Sequence, residues 1–217
     1  WYLPIGSPMA ALRQTAVRAA ASALRVCRKL AIDKATVHTH WPPHYFAARE
    51  GLAWQIDSLR ALMPLARQMG VTLMLEPAAE PLDRPEHAAA ILNAVPGLAF
   101  HLDLGHANLH GLTPALWIRR FAGRIVHVHA HDNNGRGDDH LPPGTGTIDW
   151  PAAIRALARA GYDGTITLES FSPDRAYRLL ARDRFLALWE ARGPGIRPGA
   201  GRVAGAARPG RGATRPG

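Results

Sequence analysis

The chain has 217 residues, 47% of them hydrophobic, and a formal net charge of +9 at pH 7. This length suits one domain with or without an appendage, and no apolar run approaches the ~20 residues of a membrane-spanning helix, which argues against a membrane protein. The single Cys27 excludes an internal disulfide framework and, with no basic-then-apolar leader at the N-terminus, favours a cytoplasmic protein.

The positive charge is concentrated near the C-terminus. Residues 193–217 are rich in Gly, Pro, Ala and Arg and contain five arginines and no acid, so that residues 1–192 keep a net charge of only +4. Such a composition cannot bury a core, and we predict a disordered basic tail after one domain over residues 1–192. Contact with nucleic acid is expected to be weak and limited to the charge of this tail.

Helical and strand patterns alternate along residues 1–192. In chain order they predict a helix over 10–30, a strand over 35–40, a helix over 51–69, a strand over 71–76, a helix over 84–94, a strand over 98–103, a helix over 114–122, a strand over 125–130, a helix over 150–160, a strand over 165–169 and a helix over 174–191. Asp149 suits the N-cap of its helix. Since no hairpin signals separate the strands, this order favours a parallel sheet with right-handed crossovers.

Two architectures fit this order, an open doubly wound sheet and a barrel. Many open sheets carry a Gly-rich phosphate loop after the first strand. The sequence has none there, and GTGT at 144–147, which follows a polar loop, is a weak candidate. In a barrel, the chemistry lies at the C-terminal ends of the strands.

Polar side chains stand at the C-terminal end of each predicted strand. They are His38 and His40, Glu76, Asp103 with His106 just beyond, His127 and His129, and Glu169. Five successive strands with functional groups at the same end are what a barrel active site requires. Carboxylates gathered there would repel one another and be costly to desolvate, so a bound cation is the natural neutraliser.

Four segments resemble signatures of the sugar phosphate isomerase/epimerase family, a group of xylose-isomerase-like TIM barrels within the AP endonuclease family 2 superfamily. They are LMLEP at 73–77, HLDLGHAN at 101–108, HVHAHDNNGRGDDHLPPGTGTIDW at 127–150 and GYDGTITLESF at 161–171. The resemblance implies an α/β fold, the TIM (β/α)8 barrel. Because such barrels take about 250 residues, and the strands count back from 165–169 as the eighth, the first two to three strands are expected to be lacking.

The resemblance also implies a set of site residues. One divalent metal, Mn²⁺, Mg²⁺ or Co²⁺ with Zn²⁺ as a further option, would be held by Glu76, Asp103, His129 and Glu169, and the two glutamates would transfer the proton. His106 matches a position that contacts substrate, and Asp138 and His140 match a loop pair that binds additional metal in some relatives. His38, His40 and Trp41 are candidates for the pocket wall, while the direction of His131 is undecided because its strand ends near Ala130.

This site chemistry suits a metal-dependent isomerase or epimerase. A Lewis acid that chelates neighbouring oxygens of a sugar, a sugar phosphate or a related hydroxy-carbonyl compound would acidify the adjacent C–H and stabilise an enediolate. The expected partner is a small carbohydrate, and a homo-oligomer is compatible with the sequence. Two alternatives stay open. A multi-zinc phosphodiesterase of the AP endonuclease type would use His106, Asp138 and His140 as extra ligands, along with His38 or His40. A non-catalytic fragment or binding protein would fit the open sheet edges of an incomplete barrel.

Overall fold

A computed structural model of the protein describes residues 3–40, 46–78 and 84–191. Strands and helices alternate through these residues as the sequence predicts. In chain order they are α1 (Ala10–Lys29), β1 (Lys34–His38), α2 (Ala48–Met69), β2 (Thr72–Glu76), α3 (Pro85–Ala94), β3 (Ala99–Asp103), α4 (Pro114–Phe121), β4 (Ile125–Ala130), α5 (Trp150–Arg159), β5 (Ile166–Leu168) and α6 (Arg175–Glu190). Short 3-10 helices follow β3 at His106–Asn108 and α4 at Ala122–Arg124.

The five strands form one parallel sheet in the sequential order β1-β2-β3-β4-β5. Each helix returns the chain to the start of the next strand, so all C-terminal strand ends lie at one edge. The register places His38 beside Glu76 and Asp103 beside His129. Five such strands correspond to a partial barrel of the predicted xylose-isomerase-like kind, since a closed barrel has eight.

The core lies between the sheet and the helices that cover it. Leu59 and Leu62 of α2, Leu75 of β2, Ile91 of α3 and Phe100 of β3 are almost completely buried in one continuous cluster. Their burial fixes which face of each helix meets the sheet and thereby sets the strand ends in place. None of the helices in the described part of the chain is long and apolar enough to cross a membrane.

Most predicted elements differ from the structure at one or both ends by one to three residues, as β1, α2 and β5 illustrate. β1 ends at His38, not His40: the N–H of Thr39 still donates to the carbonyl of Glu76 at 3.1 Å, and the N–H of His40 then donates to Gln55 Oε1 at 2.8 Å. α2 begins at Ala48, because Glu50 accepts a hydrogen bond from the backbone N–H of Ala47 at 2.9 Å. β5 is shorter than predicted, so Glu169 lies just beyond its last residue, Leu168. The predicted cap is confirmed: Asp149 accepts from the N–H of Ala152.

Two sequence predictions lie outside the described residues. They are the pocket-wall candidate Trp41 and the basic tail over 193–217.

Candidate active site and metal centre

Glu76 lies at the centre of the polar cluster that the strand ends form. Its side chain is almost fully buried at the end of β2. Oε2 lies 3.1 Å from His38 Nε2 and 3.2 Å from His101 Nδ1, whereas Oε1 lies 3.5 Å from His129 Nδ1 and 3.7 Å from His106 Nδ1. One oxygen is thus enclosed by two histidines, and the other faces the shared space between the strands.

The four residues predicted to hold a metal are brought together. His129 Nδ1 lies 3.7 Å from Asp103 Oδ2 and 3.2 Å from Glu169 Oε1. Ligand atoms of Glu76, Asp103 and His129 all lie within 4.8 Å of one another. Three carboxylates from β2, β3 and the end of β5 therefore surround one imidazole nitrogen of β4.

Several polar atoms in this space lack a well-aligned hydrogen bond within the described residues. They are Asp103 Oδ2, His106 Nδ1, His129 Nδ1 and His131 Nε2, all buried. A buried polar atom without a partner costs about 1–3 kcal/mol, and more when it is charged. A divalent cation would satisfy such atoms together, and oxygen donors with one or two imidazoles suit Mn²⁺, Mg²⁺, Co²⁺ or Zn²⁺. The residues present fit a metal.

A second polar group continues this cluster toward the loop after β4. Asp138 Oδ2 lies 3.0 Å from His140 Nε2 and 3.3 Å from His106 Nε2, and its Oδ1 lies 3.4 Å from His131 Nε2. His131 Nε2 is also 3.0 Å from Asp103 Oδ1, so Asp103 borders both groups. Asp103, His106 and His131 form a further set that could hold an ion, as do His131, His140 and Glu169.

The charges in the cluster are strongly coupled. Burial would lower the pKa of His106, but the negative charges of Asp103 and Asp138 outweigh it and raise the pKa to about 10. Burial would also lower the pKa of His129, but its contacts with Glu169 and Glu76 outweigh burial and raise the pKa to about 9. Without a metal, protonated imidazoles therefore neutralise carboxylates that a divalent ion would otherwise neutralise.

The carboxyl groups respond in the opposite direction. Burial would raise the pKa of Glu76, but the nearby His101 and His129 outweigh it and hold the pKa well below its usual range. The pKa of Asp103 is also lowered, because the charge of His106 and the contact with His131 outweigh its burial. Both carboxyl groups are ionised at neutral pH and available as ligands.

His38 and His40, the two other histidines predicted for the pocket, have different surroundings in the structure. His38 reaches Glu76 directly. Burial lowers the pKa of the His40 imidazole, and its Nδ1 is buried without a hydrogen bond inside the described part of the chain. Of the two, only His38 lies within contact distance of the Glu76 carboxylate among the described residues.

Sequence reasoning left His131 undecided and missed Asp132. The chain leaves β4 at Ala130, and Gly105 makes room for the His131 ring, since a Cβ at that glycine would overlap it. His131 also stacks on His140, with ring centroids 4.1 Å apart. The alternation His127, His129, His131 would place His131 only if β4 continued past Ala130, where it ends.

Asp132 organises the loop from 131 to 148. Its fully buried carboxylate accepts hydrogen bonds from the backbone N–H groups of Asn133 at 3.0 Å, Gly144 at 2.9 Å and Ile148 at 3.2 Å, and from Trp150 Nε1 at 2.7 Å. Because the amides of Gly144, Thr145 and Thr147 all donate to acceptors within this loop, GTGT at 144–147 is a segment of a structured loop and does not present these three amides to a phosphate.

Comparison with known proteins connects this geometry to a family. The family model described as "Xylose isomerase-like TIM barrel" matches residues 1–188. An L-ribulose 3-epimerase of Mesorhizobium japonicum is 36% identical over 130 residues, which are 54% of this chain and 40% of that protein. The chain spans about half the length of the curated relatives that it matches.

Two solved structures extend the comparison. A D-tagatose 3-epimerase-like protein superposes with a TM-score of 0.80 at 25% identity, covering 88% of this chain and 74% of the other. A Thermus thermophilus protein soaked with ZnCl2 superposes with a TM-score of 0.68 at 27% identity, covering 90% of this chain and 76% of the other.

Proposed function

The chain belongs to the xylose isomerase-like TIM barrel family, and on that premise we propose that it is a divalent-metal-dependent isomerase or epimerase of a sugar, a sugar phosphate or a related hydroxy-carbonyl compound. The observation that carries the proposal is the convergence of three carboxylates on His129 Nδ1, at distances of 3.2 to 3.7 Å. The similarity to an L-ribulose 3-epimerase supports the same reaction class.

Glu76, Asp103, His129 and Glu169 would hold the metal. When bound, such an ion supplies Lewis-acid polarisation of neighbouring substrate oxygens and so acidifies the adjacent C–H. Each of Mn²⁺, Mg²⁺, Co²⁺ and Zn²⁺ is compatible with three carboxylates and one imidazole.

Glu76 and Glu169 would be the proton-transferring pair. Both contact the same edge of His129, one from β2 and the other from beyond β5, so they flank the reacting position from different strands. Glu76 is buried and held by His38 and His101, whereas the side chain of Glu169 is 19% exposed. A fixed carboxylate on one side and a solvent-accessible one on the other suit the removal and return of a proton.

The substrate would lie next to the metal-binding residues, in contact with His106 and His38. His106 is held by Asp138 at 3.3 Å, and it would donate to a hydroxyl or carbonyl oxygen. His40 and Trp41 are further candidates for the pocket wall.

A second candidate function follows from the loop group. Asp138 and His140 would bind additional metal together with His106, and a site with two or three zinc ions suits a phosphodiesterase of the AP endonuclease type. The sets Asp103, His106, His131 and His131, His140, Glu169 favour it. Metal analysis of the wild type and of Asp138→Asn separates the two: about one Mn²⁺-type ion per chain that Asp138→Asn retains supports the isomerase, and two or three tightly bound zinc ions of which Asp138→Asn loses at least one support the phosphodiesterase.

The test of the proposed function is proton exchange. The metal-supplemented protein is incubated in D2O with ketoses, their phosphates and hydroxypyruvate, and deuterium incorporation is followed by NMR. We expect exchange at one carbon of one substrate class, and its loss in Glu76→Gln and Glu169→Gln. Glu190→Gln is the matched control, since Glu190 is exposed at the C-terminal end of α6, away from the catalytic edge. Metal-loaded protein that exchanges no substrate, or Gln variants that exchange normally, would contradict the proposal.

A further inference from the structure

We propose a second metal site on the inner face of the sheet. It is formed by His101, His127 and His129 and is selective for Zn²⁺ or a similar borderline transition-metal ion. One ring nitrogen of each histidine lies within 4.8 Å of the other two. The ring centroid of His101 lies 3.9 Å from that of His129 and 4.8 Å from that of His127. We call these residues the histidine cluster. It stands independently of the proposed isomerase reaction.

The strand register places two members of the histidine cluster, His101 and His127, in a layer below the third, His129. His101 pairs with His127, two residues before the pair of Asp103 with His129. Since a strand rises about 3.3 Å per residue, the His101–His127 pair lies roughly 7 Å deeper in the sheet than the Asp103–His129 pair. Side chains two residues apart point to the same face, so both layers open into the same interior.

The orientation of His101 leaves one nitrogen available. His101 is fully buried, and its Nδ1 lies 2.9 Å from Thr36 Oγ1 and 3.2 Å from Glu76 Oε2. A lone pair on Nδ1 would face the negative carboxylate, so the proton belongs on Nδ1 and the lone pair on Nε2. That Nε2 atom is buried and has no hydrogen-bond partner among the described residues. A cation at this point would satisfy it.

The outer contacts of the cluster are those that metal-bound histidines use. A ligating histidine donates its other N–H to a carboxylate, a carbonyl or a similar acceptor, which fixes the ring. His101 has Glu76 and Thr36 on its far side, and His127 Nε2 lies 3.1 Å from Thr167 Oγ1, which leaves Nδ1 for an ion. Two of the three rings are therefore already held from outside the cluster.

His129 links the histidine cluster to the three carboxylates of Glu76, Asp103 and Glu169, which we call the carboxylate group. Its Nδ1 faces Glu76, Asp103 and Glu169, so the nitrogen left for the cluster is Nε2. A neutral imidazole has only one lone pair. An ion in the cluster and an ion among the carboxylates would therefore compete for His129, and occupancy of one should weaken the other.

The donor set decides the kind of ion. Three imidazoles without a carboxylate suit Zn²⁺, Cu²⁺ or Ni²⁺, whereas oxygen-rich sites suit Mg²⁺ and Mn²⁺. The two layers should thus be distinguishable by metal type, with Mn²⁺ reporting on the carboxylate group and Zn²⁺ on both.

The test compares zinc and manganese binding by the full chain. Zinc affinity is measured by competition with a chromophoric chelator and Mn²⁺ affinity by EPR, in the wild type and in His127→Phe. Because zinc also has access to the carboxylate-containing groups, the readout is the difference between the two proteins. We expect His127→Phe to lose one zinc equivalent, while its Mn²⁺ affinity in the absence of zinc stays within about twofold and reports an intact fold. The exposed His110, changed to Phe, is the control.

A milder variant keeps the proposal testable if His127→Phe does not fold. Thr167 is exposed, and Thr167→Val removes only the hydroxyl beside His127. Loss of an outer contact of this kind weakens metal binding about 10- to 100-fold, so one zinc equivalent should weaken by at least tenfold. Unchanged zinc stoichiometry and affinity in both variants would overturn the proposal, as would equal loss of zinc and Mn²⁺ in folded His127→Phe.

Discussion

Replacement of Asp132 by Asn should loosen the loop that carries Asp138 and His140. Oδ2 of Asp132 accepts from Trp150 Nε1 at 2.7 Å and from the backbone N–H of Gly144 at 2.9 Å. In Asp132→Asn one carboxylate oxygen is replaced by an NH2 group. An NH2 group in the place of Oδ2 would face the N–H groups of Gly144 and Trp150 and could accept a hydrogen bond from neither. Hydrogen bonds to a charged acceptor contribute about 1.5–3 kcal/mol each. Two lost at the lower value predict a decrease of about 3 kcal/mol in the free energy of unfolding.

The assay is urea unfolding at equilibrium, with a double-mutant cycle. Trp150→Phe removes the indole donor and also part of a fully buried ring, so it should cost at least about 1.5 kcal/mol. If the indole contact is shared, the double variant should be less destabilised than the sum of the single ones by about the same amount. Asp149→Asn is the matched control, because Asn caps a helix as well as Asp does. A change below about 0.5 kcal/mol in Asp132→Asn, or strict additivity in the cycle, would refute the reasoning.

Three further predictions test the packing and the metal site. Gly105→Ala should destabilise the protein by about 1–3 kcal/mol, because the new methyl overlaps the His131 ring; His131→Ala in the same background should recover part of the loss in urea unfolding. Mn²⁺ at 100 times its Kd should raise the free energy of unfolding by about 2.7 kcal/mol, and Asp103→Asn at the same Mn²⁺ concentration should show much less. Leu75→Ala, at a fully buried position, should cost about 3 kcal/mol, whereas the exposed Leu186→Ala should cost below about 0.5 kcal/mol.

The parts of the fold that follow local rules could be predicted from the sequence. Each helix and strand is present because its apolar period and flanking residues specify it, as in the confirmed cap at Asp149. The clustering of Glu76, Asp103 and His129 also followed, since parallel strands place their C-terminal ends at one edge. Where a predicted boundary was wrong, a side-chain hydrogen bond that the apolar pattern does not encode often lies at the boundary. The bond from the N–H of His40 to Gln55, fifteen residues along the chain, is one example.

The placement of His131 could not be read from its strand, because it depends on contacts made far along the chain. Asp132 and Leu141 form an antiparallel bridge with reciprocal hydrogen bonds of 2.8 Å, which turns the backbone out of β4. His131 directly precedes this bridge, and its Nε2 lies 3.0 Å from Asp103 Oδ1. A strand pattern carries no information about a bridge nine residues away across a loop.

The candidate site therefore has two parts, one positioned by the strands and the other by the loop after β4. Glu76 and Asp103 sit at the ends of central strands, almost fully buried, so their positions are set by the sheet itself. Asp138 comes from the loop, its side chain is 34% exposed, and it contacts three histidines. An ion held by Glu76, Asp103 and His129 would need only the strands, whereas an ion at Asp138 would need the loop to be closed through Asp132. Asp132→Asn should therefore weaken zinc at the loop group while the Mn²⁺ affinity of the carboxylate group changes little, and equal weakening of both would show that the two parts move together.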